Sequence, residues 1–348
     1  MNIIILSDDI RGHFHQSLGV AKWLERLADA HIENIISVPK FKGFKKFLTL
    51  KISARALKNQ NISQNDAQKW LNNAGFKIPD IDNNTLFIST GSSAAPFCLA
   101  LARATGNKCA VIMTPSVLGI KPFDFAVIPE HDAGKNSDAL ITLGAPNHIY
   151  KPDLENEAAK KFDYVHEKKI IALLLGGSDA NYKIDSEWVI KNLTPLANNF
   201  NDAGILITTS RRTGIEADSA VKKIFTGHAE YLLLASENPD ENPVPAMLGR
   251  ATHVLVTEDS VSMASEAVTA GFKVGLLRVK RTDGALKKFF GYGAIRFDAM
   301  FEKMIERNLI IDLGNEPDYE KFLNTPEQKH NQDFNEAKRA AEYILKKL

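Results

Sequence analysis

A chain of 348 residues with 44% hydrophobic and 24% charged side chains has room for two α/β domains and is too well balanced for disorder. Its formal net charge of +1 excludes a globally basic nucleic-acid binder, and no apolar run approaches the roughly 18 residues a membrane span needs. Cys98 and Cys109 lie in or beside apolar runs without metal-ligand spacing, which reads as two free thiols in a reducing compartment. The opening MNIIILSDD lacks the basic start and long apolar core of a signal peptide. A soluble, cytoplasmic protein is therefore expected.

Short apolar runs alternate with helix-period segments from the start of the chain, a βαβ pattern that implies parallel sheets. Residues 3–7 (IIILS) predict a buried strand and Gln16–Leu27 a helix. The loop between them carries Asp8, Asp9, Arg11, Gly12, His13 and His15 at a strand's carboxyl end. A histidine or carboxylate there can take a proton from a reacting hydroxyl. His13, after Gly12, is the first candidate, with Asp8 and Asp9 beside it; a structural histidine is the alternative.

The next stretch, 40–58, combines many Lys and Arg with Phe41, Phe44 and Phe47 and no acid. It predicts either a peripheral contact with an anionic membrane, with LKKFFGYG (286–293) on the same side, or a helix with its lysines in water. Strands follow at 85–90, 109–113 and 125–129. ISTGSSAAP (88–96) joins the first of these to a helix and offers an acceptor or phosphate contact. Glu130, His131 and Asp132 occupy one turn, but three contiguous ligands seldom converge on one ion, and no metal site is expected.

The polar stretch 151–169 interrupts the rhythm, and a second alternation begins near Lys169. The boundaries that follow are 1–150 for the first domain, 151–324 for the second, and a final helix from about 325 to 348. Three strand ends in the second domain carry anion-friendly loops. Gly176, Gly177 and Ser178 follow IIALLL, and such glycines let a backbone approach an anion closely; a plain βα turn is the alternative. Ser210, Arg211, Arg212 and Thr213 follow GILITT, and arginine forks suit a diphosphate. The strand VLVT delivers Glu258, Asp259 and Ser260 to a helix start whose N–H groups, from Ser260 through Val261, Ser262 and Met263 to Ala264, make an anion site. Glu266, four residues after Ser262, is placed to meet a ribose; a capped helix with a solvated Glu266 is the alternative.

At these same residues the chain resembles the family of the plant mitochondrial-fission (elongated mitochondria) protein. The matching stretches are GHFHQS, ISTG, FDFAVIPEHD, TLGAPN, LLGGS, TTSRRT, NPVPAMLGRATHVLVTEDSVSMASEA and GAIRF, in order along most of the chain. Ser92 and Ser93 depart from the pattern, where a basic residue is expected. That family is in turn similar to GT-B glycosyltransferases, which implies two Rossmann-like doubly wound domains facing across a cleft. It also implies an acceptor-side role for His13, a ribose contact for Glu266, and a final helix that crosses back to the first domain.

The reading that joins these features is a glycosyltransferase that takes a sugar from a nucleotide-diphosphate donor to an envelope or lipid-linked saccharide acceptor. The strand-end loops of the second domain carry no DxD-type motif, only Glu258-Asp259, so a metal-independent, inverting reaction without a cofactor is expected. A nucleotide-sugar 2-epimerase, with Asp8, Asp9, Glu130 and Asp132 as its carboxylates, is the second reading. A non-catalytic docking module for a membrane-associated partner is the third.

Overall fold

The computed structural model describes residues 1–40, 52–130, 138–200, 203–282, 295–325 and 328–348. Residues 41–51, at the centre of the basic aromatic stretch, lie outside them. So do 286–293, His131 and Asp132. The chain forms two compact units, Met1–His148 with Asn335–Leu348, and Ile149–Phe334.

The first unit is built on a six-stranded parallel sheet of order β2-β1-β3-β4-β5-β6. Its strands are β1 (Asn2–Ser7), β2 (His31–Ser37), β3 (Thr85–Thr90), β4 (Lys108–Ile112), β5 (Phe125–Pro129) and β6 (Leu140–Thr142). The near-continuous apolar runs of β1 and β3 follow from burial on both faces. Ile3, Ile5, Leu86 and Ile88 pack with Val20 and Leu24 of the Arg11–Leu27 helix and with Ala337, Ala340 and Ile344. Ile4, Leu6 and Phe87 pack on the other face with Phe97 and Leu101. The chain order turns back between β1 and β3, which is where open α/β sheets leave a crevice for ligands.

Two expectations shift here. The first helix begins at Arg11, not Gln16, so His13 and His15 stand in its opening turns and the true loop is only Asp8–Ile10. The last helix runs Glu336–Lys347 rather than from about 325, because Asn335 caps it by accepting from the Lys338 N–H. It packs against the Arg11–Leu27 helix within the same unit.

The second unit holds a six-stranded parallel sheet of order β10-β9-β7-β11-β12-β14 and a small antiparallel pair, β8 with β13. The strands are β7 (Lys169–Leu175), β8 (Tyr182–Lys183), β9 (Ala203–Thr209), β10 (Tyr231–Leu233), β11 (His253–Thr257), β12 (Val274–Leu277), β13 (Lys280–Arg281) and β14 (Ile310–Asp312). The crevice position in this sheet lies between β7 and β11. The polar stretch after residue 150 is a helix, Lys151–Phe162, whose buried Leu154, Ala158 and Phe162 recur every four residues. No helix among the described residues is long and apolar enough to cross a membrane.

Two buried histidines make this unit sensitive to acid. His253 donates from Nε2 to the Leu323 carbonyl at 3.1 Å, and His330 from Nε2 to the Val268 carbonyl at 2.8 Å. Burial holds both pKa values below the ordinary histidine range. Each therefore contributes its full stability above about pH 6.5. Below that, the unfolded chain takes up protons that the folded one refuses, and stability falls. Chemical unfolding of wild type and His253→Gln should show a gap in stability that narrows from pH 7.5 to pH 5.5. A constant gap would contradict this.

Candidate functional site

Three loops meet at the carboxyl ends of β9, β7 and β11 in the second unit. Gly176 donates its N–H to Thr257 Oγ1 at 2.8 Å, and Gly177 donates to Asp259 Oδ2 at 2.7 Å. Neither glycine has a positive φ among the described residues; close approach is what each requires. A Cβ on Gly176 would stand 2.2 Å from Asp259 Oδ2, and one on Gly177 would stand 2.0 Å from the Arg212 carbonyl carbon. The close neighbours these glycines admit are the adjoining loops. Ser178 is likewise engaged, its N–H with the Arg212 carbonyl and its hydroxyl with the backbone of Ile184.

The paired arginines diverge. Residues 210–213 form a turn closed by Thr213 N–H to the Ser210 carbonyl at 2.9 Å, with Ser210 N–H also donating to Thr213 Oγ1. Such a turn sends successive side chains in different directions. Arg212 reaches inward: Nη2 donates to Asp259 Oδ2 at 2.9 Å and Nη1 to the Gly177 carbonyl at 3.2 Å. Arg211 turns toward the loop after β10, donating from Nε to the Pro239 carbonyl at 3.2 Å. Arg212 thus joins the loops after β7 and β11, whereas Arg211 bonds the loop after β10.

Asp259 is the hinge of the arrangement. Its side chain has no solvent exposure, and its Oδ1 is buried without a hydrogen-bond partner. Burial raises its pKa above the usual carboxylate range, and the Arg212 charge and the Gly177 N–H only partly offset that. Next to it Ser260 caps the Val261–Thr269 helix by accepting from the Met263 N–H at 3.5 Å. The Met263 donor is thereby taken, and the Ala264 N–H goes to the Ser260 carbonyl. The N–H groups of Val261 and Ser262 are first-turn donors that no helical turn supplies with an acceptor. Glu266 is buried one turn further on.

Glu258 is spent elsewhere. It is buried and accepts from Arg278 Nη1 at 2.9 Å, Arg281 Nη2 at 3.1 Å and the Val279 N–H at 2.8 Å. Sequence reasoning missed this network and Thr257. Its one legible signal was position, since Arg278 follows β12 directly and Asp312 ends β14.

In the first unit, His13 Nδ1 lies 2.9 Å from Asp8 Oδ2. Asp8 is nearly buried, with 5% of its side chain exposed, whereas His13 keeps 24%. The imidazole rests against Gly91, the first residue of the Gly91–Thr105 helix, whose φ is +80° and where a Cβ would stand 2.7 Å from His13 Cε1. Only glycine fits there on both counts. Asp9, itself at φ +60°, faces away: it accepts from Ser37 Oγ at 2.6 Å and pairs with Lys40 Nζ at 2.9 Å. The Ser37 hydroxyl, with Lys40, lowers its pKa. Asp8 is the partner of His13, and Asp9 ties β1 to the end of β2. Ser92 Oγ accepts from the Ser116 N–H at 2.9 Å.

The fold has counterparts among solved structures. The chain aligns over 99% of its length with the structure of UDP-GlcNAc 2-epimerase from Methanocaldococcus jannaschii, covering 98% of that chain at 12% identity and a TM-score of 0.53. It aligns equally fully with a UDP-glucosyltransferase from Polygonum tinctorium, covering 98% of that chain at 10% identity and a TM-score of 0.51. The shared fold, two parallel α/β sheets in succession, is the GT-B fold. An uncharacterised protein of Rickettsia prowazekii (strain Madrid E) is 26% identical over 219 residues, spanning 62% of this chain and 57% of that relative's length. Residues 11–348 match the family described as Mitochondrial fission ELM1, and the chain belongs to that family.

Proposed function

We propose that the protein transfers a glycosyl group from a nucleoside-diphosphate donor to a saccharide acceptor, with His13 as general base. The observation that carries this reading is the His13–Asp8 pair at the β1–β3 crevice. With Nδ1–H donated to Asp8, the tautomer is fixed and Nε2 holds the lone pair. Nε2 takes the proton of the acceptor hydroxyl as its oxygen attacks the anomeric carbon, and Asp8 stabilises the imidazolium that forms. The bond from the anomeric carbon to the diphosphate oxygen breaks, and the leaving group departs with the electron pair.

Arg212 and the Val261–Ser262 helix start are the groups that would neutralise that leaving charge, and Glu266 is the candidate for the ribose hydroxyls. Both carboxylates of the Glu258-Asp259 pair are engaged by arginines, which leaves them poorly disposed to hold a metal. An envelope or lipid-linked acceptor, met at an anionic membrane through 40–58, is part of the same proposal. Direct attack inverts the anomeric centre, so the product's proton spectrum should show the configuration opposite to the donor's. A retained configuration would overturn His13 as the base acting on the acceptor. Conversion of the donor to its 2-epimer without any acceptor would move the assignment to an epimerase.

A further inference from the structure

Beside the Asp259–Ser260 loop, at the carboxyl ends of β11, β12 and β14, the second unit carries an open pocket of about 530 Å³. That is within the size range of small-molecule sites. Its wall carries four carboxylates, Glu258, Asp298, Glu302 and Asp312. Interleaved with them are the cationic groups Arg278, Lys280 and Arg281. Salt bridges fix the forks in place: Arg278 Nη2 to Asp312 at 2.6 Å, and Arg281 Nη2 to Asp298 at 2.5 Å and to Glu258 at 3.1 Å. Among the described lining residues the only aliphatic side chain is Val279. Tyr182, paired with Arg281 across the β8–β13 ladder, has a buried hydroxyl with no partner.

These walls select a chemical class by elimination. A phosphate or carboxylate offers only acceptors and would face four like charges. A cation would have to displace the arginines that already hold Glu258, Asp298 and Asp312. A nucleobase needs flat apolar or aromatic faces to stack on, and the cavity has none among the described residues. A neutral polyol is different, because each hydroxyl both donates and accepts. Adjacent hydroxyls can therefore bridge an arginine fork and a carboxylate at once.

We infer that this cavity binds the uncharged sugar of the donor, and that it discriminates against sugars bearing a carboxylate. The inference rests on the donor-site reading and extends it, placing the sugar on the β12–β14 side of the Ser260 helix start.

Calorimetric titration tests it, using UDP, UDP-glucose, UDP-N-acetylglucosamine and UDP-glucuronic acid on wild type, Glu302→Ala, Asn315→Ala and Asp298→Asn. Glu302 and Asn315 are exposed lining residues, so their variants are expected to fold, and circular dichroism checks Asp298→Asn. In wild type a neutral sugar should strengthen binding over UDP about tenfold or more, and the glucuronic acid should not. The variants should lose that increment while their affinity for UDP stays within twofold. If UDP binds but the sugar adds nothing, or the variants leave the increment intact, the cavity assignment falls and the donor site stands. If the glucuronic acid derivative binds best, the selectivity argument is wrong. If none of the four binds, the UDP form of the donor reading fails together with the inference.

Discussion

Replacing Arg212 by alanine is expected to lower the stability of the second unit by about 3 kcal/mol at pH 8. Breaking a buried ion pair typically costs about 3–5 kcal/mol, chiefly because the surviving charge is stranded. The lower end applies because Arg212 keeps 42% of its side chain exposed, whereas Asp259 keeps none. In the variant, Asp259 retains the Gly177 N–H at Oδ2 but faces burial without a counter-charge. Its pKa is already raised and should rise further. A carboxyl whose folded pKa lies above the unfolded value costs stability at high pH, and that cost is relieved as pH falls. The Arg212→Ala penalty should therefore shrink between pH 8 and pH 5, and Asp259→Asn in the same background should recover part of it. Urea unfolding at the two pH values measures both. A loss below 1 kcal/mol, or one that grows toward acid, would show that the pair does not hold these loops together.

The second large effect concerns rate rather than stability. His13→Ala is expected to reduce glycosyl transfer about 10²- to 10⁴-fold, the usual contribution of a positioned general base. Nucleotide affinity should stay within twofold, since His13 belongs to the first unit and the proposed nucleotide contacts to the second. Asp8→Asn keeps the size of the partner but removes the charge that stabilises the imidazolium, so it should also slow the reaction. Asp9→Asn should not, because Asp9 serves Ser37 and Lys40. Initial rates on the three variants check the ordering. Transfer by His13→Ala within tenfold of wild type would remove the histidine from the chemistry.

Much of the fold was legible because its strands are unbroken apolar runs. IIILS, TLFIST and IIALLL are buried on both faces, and such segments announce themselves without any tertiary knowledge. Thin or short elements were harder. The apolar stripe of the Lys151–Phe162 helix is three residues set among charges, and β14 has only three residues, one of them Asp312.

The candidate site was legible in its residues and less so in their tasks. Strand-end position picked out His13, Asp8, Arg212, Asp259 and Ser260. It could not show that Asp8 takes His13 while Asp9 takes Ser37, because that depends on a left-handed Asp9 turning the chain. Nor could it show that Gly176 and Gly177 make room for neighbouring loops, a contact between residues more than 30 positions apart. The Glu258–Arg278–Arg281 network, closed over 20 and 23 positions, was hidden as well. Spacing along a chain carries period and turn chemistry, whereas ion pairs across strand ends exist only once the sheet is assembled.

The transferase proposal requires the second unit to hold a nucleotide at the Arg212 and Ser260 loops. Calorimetric titration with UDP, GDP, CDP, CMP and ADP, on wild type and on Glu266→Gln, tests it most directly. One nucleotide should bind selectively, and Glu266→Gln should weaken it about tenfold or more. Binding by none of them would rule the nucleotide site out, and would favour a docking scaffold over a transferase.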